Sequence, residues 1–453
     1  MKMKKLASLL LSAVMVLSLA ACGSTATEAP AEEAPAAEAE APAEEAPAEE
    51  AASDIAGSEL EIAVTYNEAR MEMFQGLVDK FTEETGVTVN IAAYGDDYEA
   101  TMKTRMASND LPDIFQTHGW SILRYKEYLM DVTDQPWVAD YDESALGVIQ
   151  DDEGKIYVLM INELINATLV NLEVCEAAGV DPYSIHTWDD LLAACEKIKA
   201  AGYTPLGMQG IGAGGMANIA GTFVTYPGAT AEDGAAQLDG TWDWQSYDDT
   251  IMEFWAECVN NGYFYEDALT MEGTAMTERL ADNKAAFLLG NDPGVLVTCL
   301  SLNPEGKYAF LPTFASEADG SEHVGIGEGD TFGIWKDTEN EAAAKAFLEF
   351  MARPENAKTE SDATGNILCL KSAMAIDDSY GLKVFTEMKE KCADCNIYYE
   401  NLWDRQWMPS GMWGIFGTAG GMLLEDASAE SQAEIIEYLK ENYVDLWESA
   451  NEG

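Results

Sequence analysis

The sequence predicts an α/β fold in which helices cover a parallel sheet. Residues 60–65 alternate apolar and polar side chains, which is typical of a strand. Residues 69–85 follow with apolar side chains at helical spacing, and Gly86 then ends the pattern. The alternation of strand and helix continues through residues 87–92, 97–108 and 114–115. Strands that alternate with helices indicate β-α-β units, and therefore a parallel sheet.

Helices are also predicted in later parts of the chain. Thr187, Asp189 and Asp190 are typical of a helix N-terminus, because the hydroxyl caps backbone N–H groups and the carboxylates complement the helix dipole. We expect this helix to end before Gly202. Further helices are predicted at residues 247–260, 339–351 and 429–450. Roughly 395 residues follow the N-terminal segments, which is enough for two lobes of ordinary domain size.

The N-terminus has the layout of an export signal. A basic start is followed by an apolar run over residues 6–21 and by Cys22, directly after Leu19-Ala-Ala. This order resembles the lipobox of bacterial lipoproteins, which implies a signal peptide over residues 1–22 and lipid on the Cys22 sulfur. The apolar run is shorter than the roughly 20 residues that a membrane-spanning helix needs. We therefore expect a protein that lipid anchors to the outer face of the cell membrane.

Composition separates a tether from the folded body. Residues 23–57 are mainly Ala, Glu and Pro, which bury little apolar surface and repel one another, so we expect a disordered tether. The whole chain has 81 acidic and 25 basic residues, a formal net charge of −56. Such a charge repels phosphates and anionic lipid headgroups. It therefore excludes nucleic acid as a plausible partner.

Several segments together resemble a known family. The clearest is Met106-Ala-Ser-Asn-Asp-Leu-Pro-Asp-Ile-Phe115. The others occur in the same order as in that family, at residues 77–89, 169–171, 178–180, 187–192, 202–205, 283–290, 333–335, 344–350 and 364–365. The family is that of the extracellular solute-binding proteins of bacterial ABC importers, in the sugar-binding type related to maltose-binding protein.

The resemblance implies a type II periplasmic-binding-protein fold, in which a hinge joins two α/β lobes around a ligand cleft. The first lobe is expected over residues 58–164 and 322–370, and the second over residues 165–321 and 371–453. The resemblance also implies a monomer without cofactor or catalytic activity. Its expected partners are a carbohydrate, most simply an oligosaccharide, and the permease subunits of an ABC transporter, which receive the sugar after the cleft closes.

A sugar site needs planar polar groups for the hydroxyls and aromatic faces for the rings. From the resemblance, the polar candidates are Tyr66, Asn67, Glu68, His118, Asn162, Glu163, Asn291, Asp292, Glu328 and Asp330. A carboxylate at Glu163 can bind two adjacent hydroxyls, although a hinge residue bonded to the backbone is an equal alternative. Asp292 stands where the family often has an aromatic residue, which favours a polar or cationic contact instead.

The aromatic candidates are Trp120, Trp242, Trp244, Trp403, Trp407 and Trp413. Trp120 belongs to a predicted strand-end loop, where an exposed ring can stack on a ligand. Trp413 is near the position of the family's last stacking aromatic. Packing in a turn is the alternative for Trp242 and Trp244. Packing in the core is the alternative for Trp403, Trp407 and Trp413, because their spacing also fits one face of a helix.

Two other functions keep some support from the sequence. A polyamine or another cation is a possible ligand of the same fold, because the body is acidic and Asp292 replaces an aromatic residue. A glycan-degrading enzyme is a weaker alternative, since the sequence contains neither a GxSxG nor an HExxH motif. No metal is expected, because Cys392-Ala-Asp-Cys395 is a single CxxC pair and the chain has only three His.

Overall fold

The computed structural model describes residues 54–66, 68–117, 125–151, 153–210, 231–245, 251–291, 293–312, 314, 322–392, 397–400, 407–409 and 411–451. Two β-sheets covered by helices make up this part of the chain, which confirms the prediction of an α/β fold. None of the helices found within it is long and apolar enough to cross a membrane.

The strands are β1 (Glu59–Val64), β2 (Thr88–Ala93), β3 (Ile114–Gln116), β4 (Val158–Met160), β5 (Asn162–Asn171), β6 (Thr204–Gly207), β7 (Ala285–Asn291), β8 (Tyr308–Leu311), β9 (Glu322–Glu328), β10 (Thr331–Ile334), β11 (Ile367–Leu368) and β12 (Ile397–Glu400).

The α-helices are α1 (Glu68–Thr85), α2 (Tyr98–Ser108), α3 (Glu143–Ile149), α4 (Leu172–Ala178), α5 (Trp188–Ala200), α6 (Ala231–Asp239), α7 (Glu253–Asn260), α8 (Gly273–Ala281), α9 (Pro293–Leu302), α10 (Glu341–Met351), α11 (Pro354–Asp362), α12 (Lys371–Met374), α13 (Tyr380–Lys391), α14 (Met412–Glu425) and α15 (Ala429–Asn451). Short 3-10 helices occur at Gly95–Asp97, Lys126–Tyr128, Pro136–Asp140, Pro182–Ser184 and Ala268–Thr270.

The first sheet has the strand order β2-β1-β3-β10-β4. Strand β1 pairs in parallel with β2 and β3, whereas β10 is antiparallel to both β3 and β4. Helices α1 and α10 pack on it through Phe74, Phe81 and Phe347, whose rings meet at 5.1–6.2 Å. We call this sheet and the elements that share its core the first lobe.

The second sheet is built around the long strand β5. Its order is β12-β9-β5-β7-β6, and β8 and β11 also pair with β5. Alternate residues of β5 serve two cores on opposite faces, since Val170 is in one and Leu169 in the other. We call this sheet and its two cores the second lobe.

Three of the connections between the lobes meet at the same place. The chain leaves β4 and enters β5 through Ile161, and it returns from β9 to β10 through Gly329 and Asp330. After α11, which packs in the first core, Asn366 leads into β11, which pairs with β5. We call residues 161–162, 329–330 and 366 the crossing segments.

Local signals in the sequence placed many elements within one or two residues. Helix α5 begins after Thr187, and a capping box joins the Thr187 and Asp190 side chains to each other's backbone N–H groups, as the predicted N-terminus requires. The helix predicted at 247–260 is described from residue 251 onward, and α7 ends at Asn260 as expected.

The predicted lobe boundary at residue 322 differs from the observed strand pairing. Strand β9 (Glu322–Glu328) pairs with β5 and β12 in the second sheet, and the chain reaches the first sheet only at Thr331. The pairing partners of β9 are far away in the sequence, so local patterns do not identify its sheet. The lobe boundaries themselves stay a prediction.

Candidate functional site

One edge of the first sheet brings polar side chains together. The carboxyl ends of the parallel strands β1 and β3 lie at this edge, where ligands bind in open α/β sheets. The Gln116 side-chain oxygen accepts hydrogen bonds from the Thr65 backbone N–H at 2.7 Å and from the Thr65 hydroxyl at 3.0 Å. Thr117 continues the edge, and its hydroxyl lies 3.1 Å from that of Thr331. We call this region the strand-end edge.

An ion-paired cluster is attached to the strand-end edge. The Arg70 guanidinium, from the first turn of α1, donates to the carboxylates of Asp330 and Glu360. The Tyr66 hydroxyl also donates to Glu360, and the Arg70 guanidinium lies 4.0 Å from the centroid of the Tyr66 ring. Glu360 and Tyr66 are buried, whereas 23% of the Arg70 side chain is exposed. The cluster therefore holds one cation between two carboxylates and an aromatic ring.

Burial changes the acidity of this cluster. Burial and the neighbouring Asp330 carboxylate raise the pKa of Glu360 to about 7, against the opposing effect of Arg70. Burial, followed by the charge of Glu360, raises the pKa of the Tyr66 phenol well above its usual value. Burial alone would lower the pKa of Arg70, but the two carboxylates and Tyr66 outweigh it, so the guanidinium stays charged. Glu360 is thus the member of the cluster that titrates near neutral pH.

The predicted hinge residues Asn162 and Glu163 lie where the chain enters β5. Asn162 is fully buried, and its amide group bonds to Asp330, which was predicted independently as a site residue. Glu163 is buried too, and it lies opposite Glu328 in the antiparallel pair of β5 and β9. The structure therefore brings Tyr66, Asn162 and Asp330 into one connected polar region, with Glu163 next to it along β5.

Four of the predicted tryptophans, Trp242, Trp244, Trp407 and Trp413, form a second group, in the second lobe. The Trp242 and Trp244 rings meet edge to face at 4.7 Å, and Trp244 packs against Tyr443 at 5.7 Å. Only 4% of Trp244 is exposed, so it is a core residue with little surface left for a ligand. Trp242, Trp407 and Trp413 are half-buried against the same core and keep part of their rings accessible. These three are better placed to stack on a sugar than Trp244.

Other predicted site residues lie wholly or partly outside the described residues. Cys22, Asn67, His118, Trp120, Asp292 and Trp403 belong to ranges that the structure does not describe. For three others only the backbone is described: Glu68 begins α1, Asn291 ends β7 and Glu328 ends β9. Their roles as ligand contacts stay predictions.

Sequence reasoning missed Arg70, Glu360 and Asn366. Arg70 carried a usable signal, because a cation in the first turn of a helix opposes the positive end of the helix dipole and needs another reason to be there. Glu360 carried none, since it is one of 81 acidic residues and its partners are hundreds of residues away in the chain. Asn366 looked like an ordinary turn residue after Gly365.

The described residues contain no group of three or more His, Cys, Asp or Glu side chains that could hold a metal ion. The thiols of Cys175, Cys195, Cys258, Cys299 and Cys369 are buried and unpaired. Burial raises the pKa of Cys175 and of Cys299 to about 12, so neither is a thiolate at neutral pH. These cysteines therefore act as core residues.

Known proteins resemble this chain over most of its length. A family model described as bacterial extracellular solute-binding protein matches residues 67–358. The melibiose/raffinose/stachyose-binding protein MelE of Bacillus subtilis is 31% identical over 374 residues, which are 80% of this chain and 84% of the relative.

Solved structures agree with the sequence match. An open conformation of the binding protein MsmE of Bacillus subtilis has a TM-score of 0.79 at 28% identity, and the match covers 87% of this chain and 99% of that one. A sugar transporter protein of Bacillus licheniformis in complex with stachyose has a TM-score of 0.70 at 28% identity, over 86% of this chain and all of that one (100%). These likenesses confirm the predicted type II architecture of two α/β lobes, a hinge and a cleft between the lobes.

Proposed function

We propose that this chain, which belongs to the family of bacterial extracellular solute-binding proteins, captures an oligosaccharide and delivers it to an ABC transporter. The observation that carries the proposal is the match to MelE, because it extends over four-fifths of the chain (80%) and so includes both lobes. The similar structure that contains stachyose supports the same class of ligand. Melibiose, raffinose and stachyose are therefore the first sugars to test.

The two groups of candidate residues suit the two kinds of surface that a sugar offers. Partly exposed polar side chains beside the strand-end edge, such as Thr65 and Asn366, suit hydroxyls, and the half-buried rings of Trp242, Trp407 and Trp413 suit the apolar faces of the pyranose rings. A micromolar Kd needs about −8 kcal/mol. A hydrogen bond contributes about 1 kcal/mol net and an aromatic contact about 0.5–1.5 kcal/mol. Several hydrogen bonds and a few aromatic contacts together therefore reach that total.

The proposal assigns no catalytic step to the chain. Members of the matched family bind solutes, and the relatives named above are binding or transport proteins. In this scheme the ligand contacts both lobes, and these contacts favour the closed state, because a ligand shifts a conformational equilibrium only through contacts that differ between the two states. The closed, loaded protein is then the form that the permease subunits of the transporter recognise.

We further propose that lipid on Cys22 holds the protein at the outer face of the cell membrane. The basic start, the apolar run at 6–21 and the small residues before Cys22 support this proposal. Residues 23–57 would then act as a tether between the lipid and the folded body. Mass spectrometry of the protein purified from membranes tests it, since the peptide that begins at Cys22 should carry acyl chains. The same peptide without acyl chains would contradict lipid anchoring.

A cationic ligand has less support than a sugar. The net charge of −56 favours cations, but two of the buried carboxylates next to the strand-end edge, Asp330 and Glu360, already share the guanidinium of Arg70. A polyamine would have to displace this internal cation. The described part of the site therefore offers a cation no ready-made acidic pocket at those two residues.

Isothermal titration calorimetry of the folded body, residues 54–453, tests the proposed function. We expect raffinose, stachyose or melibiose to bind with a Kd in the micromolar range, and spermidine to give no heat of binding above dilution at 150 mM salt. High salt should change the sugar Kd little, because neutral ligands make few screened interactions. Binding of spermidine that weakens with salt, together with no binding of any sugar, would contradict the proposal.

A further inference from the structure

The three crossing segments are bonded to each other through one side chain. The Asn162 side-chain oxygen accepts from the Asp330 backbone N–H at 2.9 Å and from the Asn366 side-chain amide at 3.0 Å. The Asn162 side-chain amide in turn donates to a carboxylate oxygen of Asp330 at 2.9 Å. Asn162 therefore bonds directly to a residue in each of the other two crossing segments.

The crossing segments pack so closely at Asn162 that position 329 has no room for a side chain. Gly329 donates its backbone N–H to the Asn162 carbonyl at 2.9 Å. A Cβ atom on Gly329 would lie 2.0 Å from the Asn162 side-chain oxygen, well inside van der Waals contact. The Ile161 backbone N–H also donates to the Asp330 carbonyl at 2.9 Å. Any rotation of one crossing segment must therefore move or break its bonds to the others.

Arg70 fastens these segments to the first lobe. One carboxylate oxygen of Asp330 faces Asn162, and the other accepts from the Arg70 guanidinium. Arg70 belongs to α1, and its second acidic partner, Glu360, belongs to α11. Both helices contribute to the first core, through Phe74 and Ala357 respectively. The chain of contacts thus runs from two helices of the first lobe, through Arg70 and Asp330, to Asn162 and Asn366.

We propose that Asn162 and Arg70 are positioning residues of the hinge. Asn162 ties the crossing segments into one unit, and Arg70 attaches this unit to the first lobe, so that the second lobe closes about a defined axis. An untied hinge would let the lobes of the free protein sample more orientations, and binding would then cost more conformational entropy. The consequence for ligand affinity rests on the proposed function, whereas the coupling of the segments does not.

Hydrogen–deuterium exchange of the ligand-free protein tests the coupling. Arg70→Met and Asn162→Ala are compared with wild type and with Arg105→Met. Arg105 is a matched control in the same lobe, because it also bonds a carboxylate, Glu61 at 2.7 and 2.9 Å, and is similarly exposed at 17% against 23% for Arg70. Described contacts of Arg105 are with Glu61, Tyr94 and Asp110, which are outside the crossing segments.

In both test variants we expect amide exchange to be at least about five-fold faster than in wild type at all three crossing segments. The peptides that report on them contain Ile161–Glu163, Gly329–Thr331 and Asn366–Leu368. Arg105→Met should leave these peptides at the wild-type rate. Faster exchange only in the peptide that carries the substitution, or unchanged exchange everywhere, would overturn the proposal. Should Arg70→Met fail to fold, Arg70→Lys decides the matter, since it keeps the charge but loses the planar fork and should give a smaller increase at the same three places.

A second arm measures ligand affinity. Arg70→Met should weaken raffinose or stachyose binding by about ten-fold, and Arg105→Met should leave it unchanged. If Arg70→Met weakens binding without faster exchange at the crossing segments, Arg70 contacts the ligand directly and the positioning role is wrong. If wild type binds no sugar while the exchange pattern is as expected, the proposed function fails and the hinge proposal stands.

Discussion

In the first lobe the candidate site consists of charged and polar side chains that bond to one another, whereas in the second lobe it consists of tryptophans that pack on a core. In the first arrangement Tyr66, Arg70, Asp330 and Glu360 are joined to one another by hydrogen bonds and ion pairs. The second leaves the rings of Trp242, Trp407 and Trp413 partly accessible. The first lobe thus contributes a polar frame of mutually bonded side chains to the candidate site, and the second contributes tryptophan rings, of which Trp244 is buried and Trp242, Trp407 and Trp413 are half-buried.

The largest effect is expected at Trp244, a tryptophan buried in a core of the second lobe. Trp244→Ala removes a ring that packs between Trp242, Phe416 and Tyr443, and should lower the free energy of unfolding by about 3–5 kcal/mol. Urea denaturation measures this loss. At temperatures where the variant stays folded, its sugar Kd should equal that of wild type. A normal stability together with weakened binding would move Trp244 from the core to the ligand site.

The contribution of the polar frame to the free energy of unfolding should depend on pH. The pKa of Glu360 is raised to about 7 in the folded protein from 4.5, so the stabilisation that its proton provides is complete below pH 4.5 and is lost as the pH rises through about 7. Relative to Glu360→Gln, which has no such proton, the wild-type free energy of unfolding should fall by roughly 2–3 kcal/mol over this range. Denaturant midpoints of both proteins between pH 4.5 and 8 measure it. Parallel pH profiles would show that Glu360 does not titrate there.

A half-buried tryptophan should separate binding from packing. Trp413, at the start of α14, keeps part of its ring accessible, so Trp413→Ala should weaken sugar binding by about three- to ten-fold, the equivalent of one stacking contact. The melting temperature of the empty protein should change much less than in Trp244→Ala. Trp447→Ala, in the same lobe, is the matched control, because that tryptophan packs on Gly240 and donates to the Leu238 carbonyl. Equal losses of affinity in both variants would show that Trp413 does not contact the sugar specifically.

The smallest effect concerns the N-terminus of helix α5, whose cap residue Thr187 belongs to neither group. Thr187→Ala removes the capping box with Asp190 and should lower the free energy of unfolding by about 1 kcal/mol. Its sugar Kd should not change, since the cap stabilises the second lobe without contacting the strand-end edge. Thermal unfolding with and without sugar measures both quantities. A higher Kd would show that ligand affinity follows general stability, and the other variants could then not separate ligand contacts from effects on stability.

Sequence reasoning was most successful where the signal is local. Thr187 with its two acids defines the start of α5, and the apolar spacing before Gly86 defines α1, because capping and helical periodicity depend on neighbours along the chain. Strand β9 was assigned to a different lobe from the one in which it pairs, because pairing partners are set by tertiary structure. The same limit applies to Trp244, because its place in the core depends on contacts with residues far away in the sequence, among them Phe416 and Tyr443.

The candidate site shows the same division. Tyr66, Asn162 and Asp330 were each selected from their expected positions at strand ends and crossings, and the structure joins them. Their connections through Arg70 and Glu360 were not predictable, because both bonds link residues separated by more than two hundred positions in a chain rich in carboxylates.

Small-angle X-ray scattering of the folded body, with and without saturating stachyose, tests most directly whether this protein captures sugar by closing its cleft. We expect stachyose to reduce the radius of gyration, because the proposed closure brings both lobes against the ligand, and spermidine to leave it unchanged. A radius that stays constant with every sugar that binds, or that shrinks only with spermidine, would contradict the proposed closure.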